Sequence, residues 1–83
     1  MKVKVVKVHL MGSDLVIDAT ENQAKKLTMM NNDSEKRNLM IKIGNYSFRP
    51  CSVSYMVDKT EEDYAVPKYY LESVERETKL LGK

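Results

Sequence analysis

A chain of 83 residues with 42% hydrophobic content builds one core at most, because too little apolar material remains for a second. Fourteen Lys/Arg against twelve Asp/Glu leave a net charge of +2, which by itself points to neither a nucleic acid nor a membrane surface. A single cysteine, Cys51, excludes an internal disulfide framework and a cysteine-based zinc site.

Lys2 to Met11 alternates with period two. Val3 and Val5 share one face, and after a change of parity Val6, Val8 and Leu10 follow on the other. Such a strand contains a bulge at Val5-Val6 or is covered on both sides. Met11-Gly12-Ser13-Asp14 is a turn signal, and Leu15 to Ala19 resumes as a short β-branched strand, so an antiparallel hairpin is predicted. Thr20-Glu21-Asn22-Gln23 is a capping box, in which the Thr20 hydroxyl accepts from the Gln23 N–H and the Gln23 side chain returns to the Thr20 N–H. The helix it opens is short, carries a narrow apolar stripe at Ala24 and Leu27, and is expected to end on a left-handed residue at Asn31-Asn32.

Leu39, Ile41 and Ile43 alternate with Met40 and Lys42, and Gly44-Asn45 is a two-residue turn with glycine first, as a type II′ hairpin requires. That register sets Ile43 opposite Tyr46, Ile41 opposite Phe48 and Leu39 opposite Pro50 on one face, with Lys42 and Arg49 on the other. Val53 to Val57 alternates again, and its most economical partner is the first strand, which would curl the sheet. Residues 58–66 read as a charged linker. Pro67 is well placed to open a helix over 67–83, where Tyr70/Leu71, Val74, Thr78 and Leu81 recur at helical spacing. Glu72 with Arg76 and Glu75 with Lys79 are favourable i,i+4 pairs on that helix. Residues 1–57 carry nine basic and five acidic side chains, net +4, and residues 58–83 five and seven, net −2.

Two segments, Val16-Ile17-Asp18-Ala19-Thr20-Glu21-Asn22-Gln23-Ala24-Lys25-Lys26-Leu27 and Ile41-Lys42-Ile43-Gly44-Asn45-Tyr46-Ser47-Phe48-Arg49-Pro50-Cys51-Ser52-Val53, carry a resemblance. Their pattern is a strand, a T/S-E-x-Q-A capped helix, and a hairpin ending in a Pro-x-x-apolar corner. Over residues 1–57 it resembles small ββαββ proteins of unassigned role carried by bacteriophages and mobile elements of Gram-positive bacteria. The resemblance implies an accessory protein of a mobile element. It implies no activity and carries over no catalytic residues.

The residues assemble no catalytic constellation. His9 is the only histidine, and no spacing brings acidic or thiol partners to it. Cys51 as a nucleophile would need His9 as its base, and the plainer reading is a small half-buried apolar residue. Glu61-Glu62-Asp63 lacks the alternating oxygen ligands and glycine of a calcium loop. With three glycines in the chain, no phosphate-cradling loop exists, and no cofactor is expected.

The reading is therefore an α+β fold: a curled antiparallel sheet of four or five strands in ββαββ order, then a C-terminal amphipathic helix. The domain spans 1–57, the linker 58–66 and the helix 67–83. No run of 18 apolar residues exists and the N-terminus lacks signal-peptide features, so a soluble protein of the host cytoplasm is expected. The leading function is non-enzymatic: self-association and binding of a host or phage protein. Its candidate interface is Met29, Met30, Tyr70, Leu71, Val74 and Leu81. Methionines adapt to irregular partners, and the helix either folds back or docks on another chain. The alternative is a small basic β-module binding nucleic acid through Lys2, Lys4, Lys42 and Arg49. It is demoted because the register sends Tyr46 and Phe48, the stacking platform, to the face away from the charge.

Overall fold

The computed structural model describes residues 1–82, with side chains as far as Leu80. In chain order the elements are β1 (Lys2–Leu10), β2 (Val16–Ala19), α1 (Glu21–Asn31), β3 (Ile41–Ile43), β4 (Tyr46–Phe48), β5 (Val53–Glu62) and α2 (Lys68–Gly82). Short 3-10 turns at Pro50–Ser52 and Asp63–Ala65 flank β5. The class is α+β with antiparallel sheets.

The expected single curled sheet is not what forms. The strands divide into a three-stranded sheet, β2-β1-β5, and a two-stranded sheet, β3-β4, in the chain order ββαβββα. Pro50 has no N–H to donate and starts a 3-10 turn, so the ladder of β4 stops and the chain turns before β5 begins. The β3-β4 hairpin packs on the larger sheet instead of extending it: Ile43 and Phe48 join Val6, Val8, Ile17, Ala19 and Leu27 in one buried cluster.

The parity change in β1 resolves as a strand covered on both faces. Pairing with β5 runs without interruption through Val5 and Val6, and the irregularity lies between His9 and Leu10, which leaves Ser54 without a partner in β1. Val6 and Val8 face α1 and the small hairpin, while Val5 packs with Val66 and Tyr70 on the other side. Burying apolar side chains on both faces suits the middle strand of a small sheet, where each fully buried valine contributes about 1.5–3 kcal/mol.

The segment read as a charged linker is largely strand. Asp58–Glu62 continue β5 along the first half of β1, with Lys2 opposite Glu62 and Lys4 opposite Thr60. Lys2 and Glu62 are an opposite-charge cross-strand pair, of the kind a ladder favours. The N-terminal ammonium adds to it, 3.5 Å from Glu62 Oε1 and 4.0 Å from Asp63 Oδ1.

The capping box of α1 forms as read. Thr20 Oγ1 accepts from Gln23 N at 3.1 Å, and Gln23 Oε1 accepts from Thr20 N at 2.9 Å. The exit differs: Asn32 is right-handed at φ −86°, and its N–H reaches back to Thr28 and Met30. Polar bonds at Asp33 close the turn, so no left-handed residue is needed.

In the hairpin, Ile41 faces Phe48 and Ile43 faces Tyr46. Phe48 is buried and Arg49 exposed, as the register requires. Leu39 does not reach Pro50; it precedes the strand and is exposed. Gly44 has φ +63° and no non-glycine residue among those described has positive φ, so Asn45 stays on the negative side and the turn has the type II′ signature.

Gly44 carries a second constraint. A Cβ placed there would lie 2.6 Å from Cγ and Cδ1 of Tyr69 and 2.9 Å from its Cβ, whereas one at Gly12 (φ +70°) would meet open space. Gly12→Ala is expected to cost about 1 kcal/mol, the left-handed penalty alone. Gly44→Ala adds overpacking and is expected to cost about 3 kcal/mol. Urea midpoints of the two variants measure the difference; equal midpoints would show that the Tyr69 contact constrains nothing.

Candidate functional site

The helix α2 decides which surfaces are free. Where β2 ends, β1 continues alone, so backbone groups on that side of the sheet lack partners. Two successive tyrosines supply them. The Tyr69 hydroxyl accepts from the outward N–H of Asp18 at 2.9 Å, and the Tyr70 hydroxyl donates to the carbonyl of Lys4. Ser73, buried, donates to the Tyr69 carbonyl at 3.0 Å and accepts from the Gln23 side chain at 3.2 Å. One turn further, Glu77 accepts from the Thr20 hydroxyl and, at 3.2 Å, from the Asn22 amide. Its carboxylate thereby sits at the positive end of the α1 dipole.

The docking face of α2 is thus Tyr69, Tyr70, Ser73 and Glu77. The apolar stripe read from the sequence is turned away by about one residue. Tyr70 is 4% exposed and serves the fold, so it is no partner contact, which corrects its place in the candidate interface. Leu71 and Val74 stay at the surface, 42% and 38% exposed. Leu81 lies outside the described side chains. The physical reason is that a sheet edge needs donors and acceptors before it needs methyl groups: an unpaired buried polar group costs about 1–3 kcal/mol.

A second apolar surface lies between α1 and β5. A shallow groove of about 520 Å³ is lined by Val6, Ala24, Thr28, Met29 and Met56, with Glu21, Lys25 and Asp58 at its rim. Met29 is 72% exposed above it, and Met30 faces a separate cleft beside β3.

The four candidate nucleic-acid contacts do not share a sheet. Lys2 and Lys4 are on β1, while Lys42 is on β3 and Arg49 follows β4. Lys42 instead meets Lys68 and Arg76 of α2 across a polar cleft of about 620 Å³ that also contains Glu72, Gln23 and Asn45.

Two constellations had no sequence prediction. Lys7 Nζ is 2.9 Å from Asp18 Oδ1 and 3.9 Å from Glu61 Oε1, a part-buried ion cluster on the face opposite the main core. It follows from Lys7 standing opposite Asp18 in the β1-β2 register, a pairing visible only once the loop length is known. His9 stacks on Tyr55, its partner in β5, with ring centroids 4.2 Å apart. Cys51 donates from Sγ to Asn38 Oδ1 at 3.3 Å. Among the described residues no three His, Cys, Asp or Glu side chains cluster as metal ligands, and no helix is long and apolar enough to cross a membrane.

Comparison of the chain with family models, with curated proteins and with solved structures returns no match.

The tyrosine anchors have a pH signature. Burial raises the pKa of both Tyr69 and Tyr70, outweighing the Asp18 N–H at Tyr69 and reinforced at Tyr70 by Glu77. Unfolded tyrosines ionise near pH ~10, so above that pH the unfolded chain has lost protons that the native chain retains. Their contribution is full below about pH 10 and declines as pH rises past it. The double variant Tyr69→Phe/Tyr70→Phe is expected to be less stable at neutral pH, with a shallower alkaline decline. Urea midpoints between about pH 8 and 11 test this; parallel profiles for both proteins would contradict it.

Proposed function

We propose that this chain is a non-enzymatic protein-protein interaction module, an accessory protein of a bacteriophage or mobile element, which binds a host or phage protein and self-associates. One observation supports this above others: α2 is held in place by its hydroxyl-bearing face, so Leu71 and Val74 of its apolar stripe point outward. A helix already committed to the fold still presents the anchors of a helix-in-groove contact. The Met29/Met56 groove is a second apolar surface with adaptable side chains. The mobile-element setting rests on the capped helix at Thr20–Gln23 and the Gly44–Pro50 hairpin corner.

The test uses the intact protein as bait in a Gram-positive bacterial lysate beside the Leu71→Glu/Val74→Glu variant, whose changes lie on the surface. A partner retained by the native chain and weakened at least tenfold in the variant is expected, the scale of a lost interface anchor of about 2 kcal/mol. Equal retention by both proteins, or none by either, would refute the reading.

The second reading, a polyanion site, is favoured by one feature: Lys42, Lys68 and Arg76 face one cleft against the single carboxylate of Glu72. It requires binding of a labelled single-stranded oligonucleotide that weakens with salt, through counterion release, and further weakens in Lys42→Glu. Binding indifferent to both would dismiss it.

A further inference from the structure

The two edges of the three-stranded sheet are treated differently. The β2/β1 edge is closed by α2 through Tyr69 and Tyr70. On the far side, β5 has no second neighbour among the described residues.

Which groups that edge presents follows from the ladder. Asp63 N donates to Met1 O at 2.8 Å, so Met1 and Asp63 form a hydrogen-bonded pair. Bonded pairs alternate along an antiparallel ladder. Val3-Glu61, Val5-Lys59 and Lys7-Val57 are therefore bonded, and β5 turns the N–H and C=O of Met56, Asp58, Thr60 and Glu62 outward. The opposite edge of β1 confirms the parity, because the Lys4 carbonyl points away from β5 to Tyr70.

We propose that the chain dimerises by antiparallel pairing of β5 with β5 of a second copy about a two-fold axis at Val57, which makes one continuous six-stranded sheet. The proposal rests on the self-association inferred above and assigns its surface. Charge and the length of ladder clear of the bulge together set the register in which a second copy fits. A two-fold axis normal to the sheet keeps each face on its own side, so only residues of like parity face each other. Centring on Asp58 or Lys59 opposes identical charges, and centring on Thr60 sets Asp58 against Glu62 twice on one face while pairing Lys59 with Glu61 on the other. Centring on Val57 gives the longest ladder clear of the bulge that opposes no like charges, residues 55–59, against 55–57 for a centre at Met56: Met56 meets Asp58 of the second copy, and Tyr55 meets Lys59, an aromatic ring against a cation. The unpartnered Ser54 of the bulge ends the ladder beyond Tyr55. The axis also brings the two Met56-lined grooves to the same face of the joint sheet.

Sedimentation of the full chain over a concentration series is expected to show a monomer-dimer equilibrium. Asp58→Pro removes an outward N–H together with the exposed carboxylate and no bond of the β1 ladder, so it is expected to abolish the dimer while the monomer keeps its circular dichroism and its cooperative melting. Hydrogen exchange on the native chain gives a second readout: the amides of Met56 and Asp58 slow with concentration, while those of Val57 and Lys59 are slow throughout. The register is read by charge at position 56. Met56→Lys meets Asp58 of the second copy twice and tightens the dimer, and Met56→Asp loosens it, each by roughly tenfold. A monomer at every concentration overturns the proposal. So does a dimer indifferent to Asp58→Pro, which would place self-association on another surface, or weakening by both Met56 variants, which would place Met56 opposite itself. The Leu71→Glu/Val74→Glu variant keeps this dimer, so loss of partner capture and loss of dimerisation are separable.

Discussion

The structure depends on how a short strand leaves a longer one incomplete. β2 pairs with only the second half of β1, so the Lys4 carbonyl beyond it and the outward N–H of Asp18 on the edge of β2 itself must find partners. Tyr69 and Tyr70 reach them from α2, one as acceptor and one as donor. This fixes the rotation of α2 about its own axis. It also places the Tyr69 ring against the backbone of Gly44, tying the helix to the small hairpin, and packs that ring edge-on to Tyr46 at 5.7 Å. Ser73 and Glu77, on the same face, then meet the N-terminus of α1. Four elements are joined by one polar-aromatic face of one helix.

The consequence for function lies in what this arrangement leaves over. An amphipathic helix that docked by its apolar stripe would end with a polar exterior. Here the polar demands of the sheet edge win over hydropathy, because an orphaned backbone group costs more than leaving part of a leucine in water. Leu71 and Val74 are the remainder. The same contrast holds between the sheet edges, one covered by a helix and the other, β5, without a second neighbour among the described residues. Leu71 and Val74 thus lie on α2, and the free hydrogen-bonding edge lies on β5, a different element.

Charge plays a structural part before any other. Lys7 is engaged by Asp18 and Glu61 on one face of the sheet, and Lys2 stands opposite Glu62 on the other. Two of the nine basic side chains of residues 1–57 are thereby matched within the sheet. The cations that face a common cleft come from β3 and α2, elements far apart in sequence.

Local chemistry was legible in the sequence. The capping box at Thr20–Gln23, the Gly44-Asn45 turn with its Ile41-Phe48 and Ile43-Tyr46 pairs, the pairing of β5 with β1 and the existence of the last helix all follow from turn residues and periodicity, which act over a few neighbours. The separation into two sheets, the extension of β5 through Asp58–Glu62, the Lys7-Asp18-Glu61 cluster and the face by which α2 docks were not. Hydropathy ranks side chains by their wish to leave water, and on that scale Leu71 and Val74 outrank Tyr69 and Ser73. Only the assembled sheet creates the unpaired N–H and C=O groups that reverse the ranking, because β2 becomes an edge, exposing the Asp18 N–H, and ends before the Lys4 carbonyl.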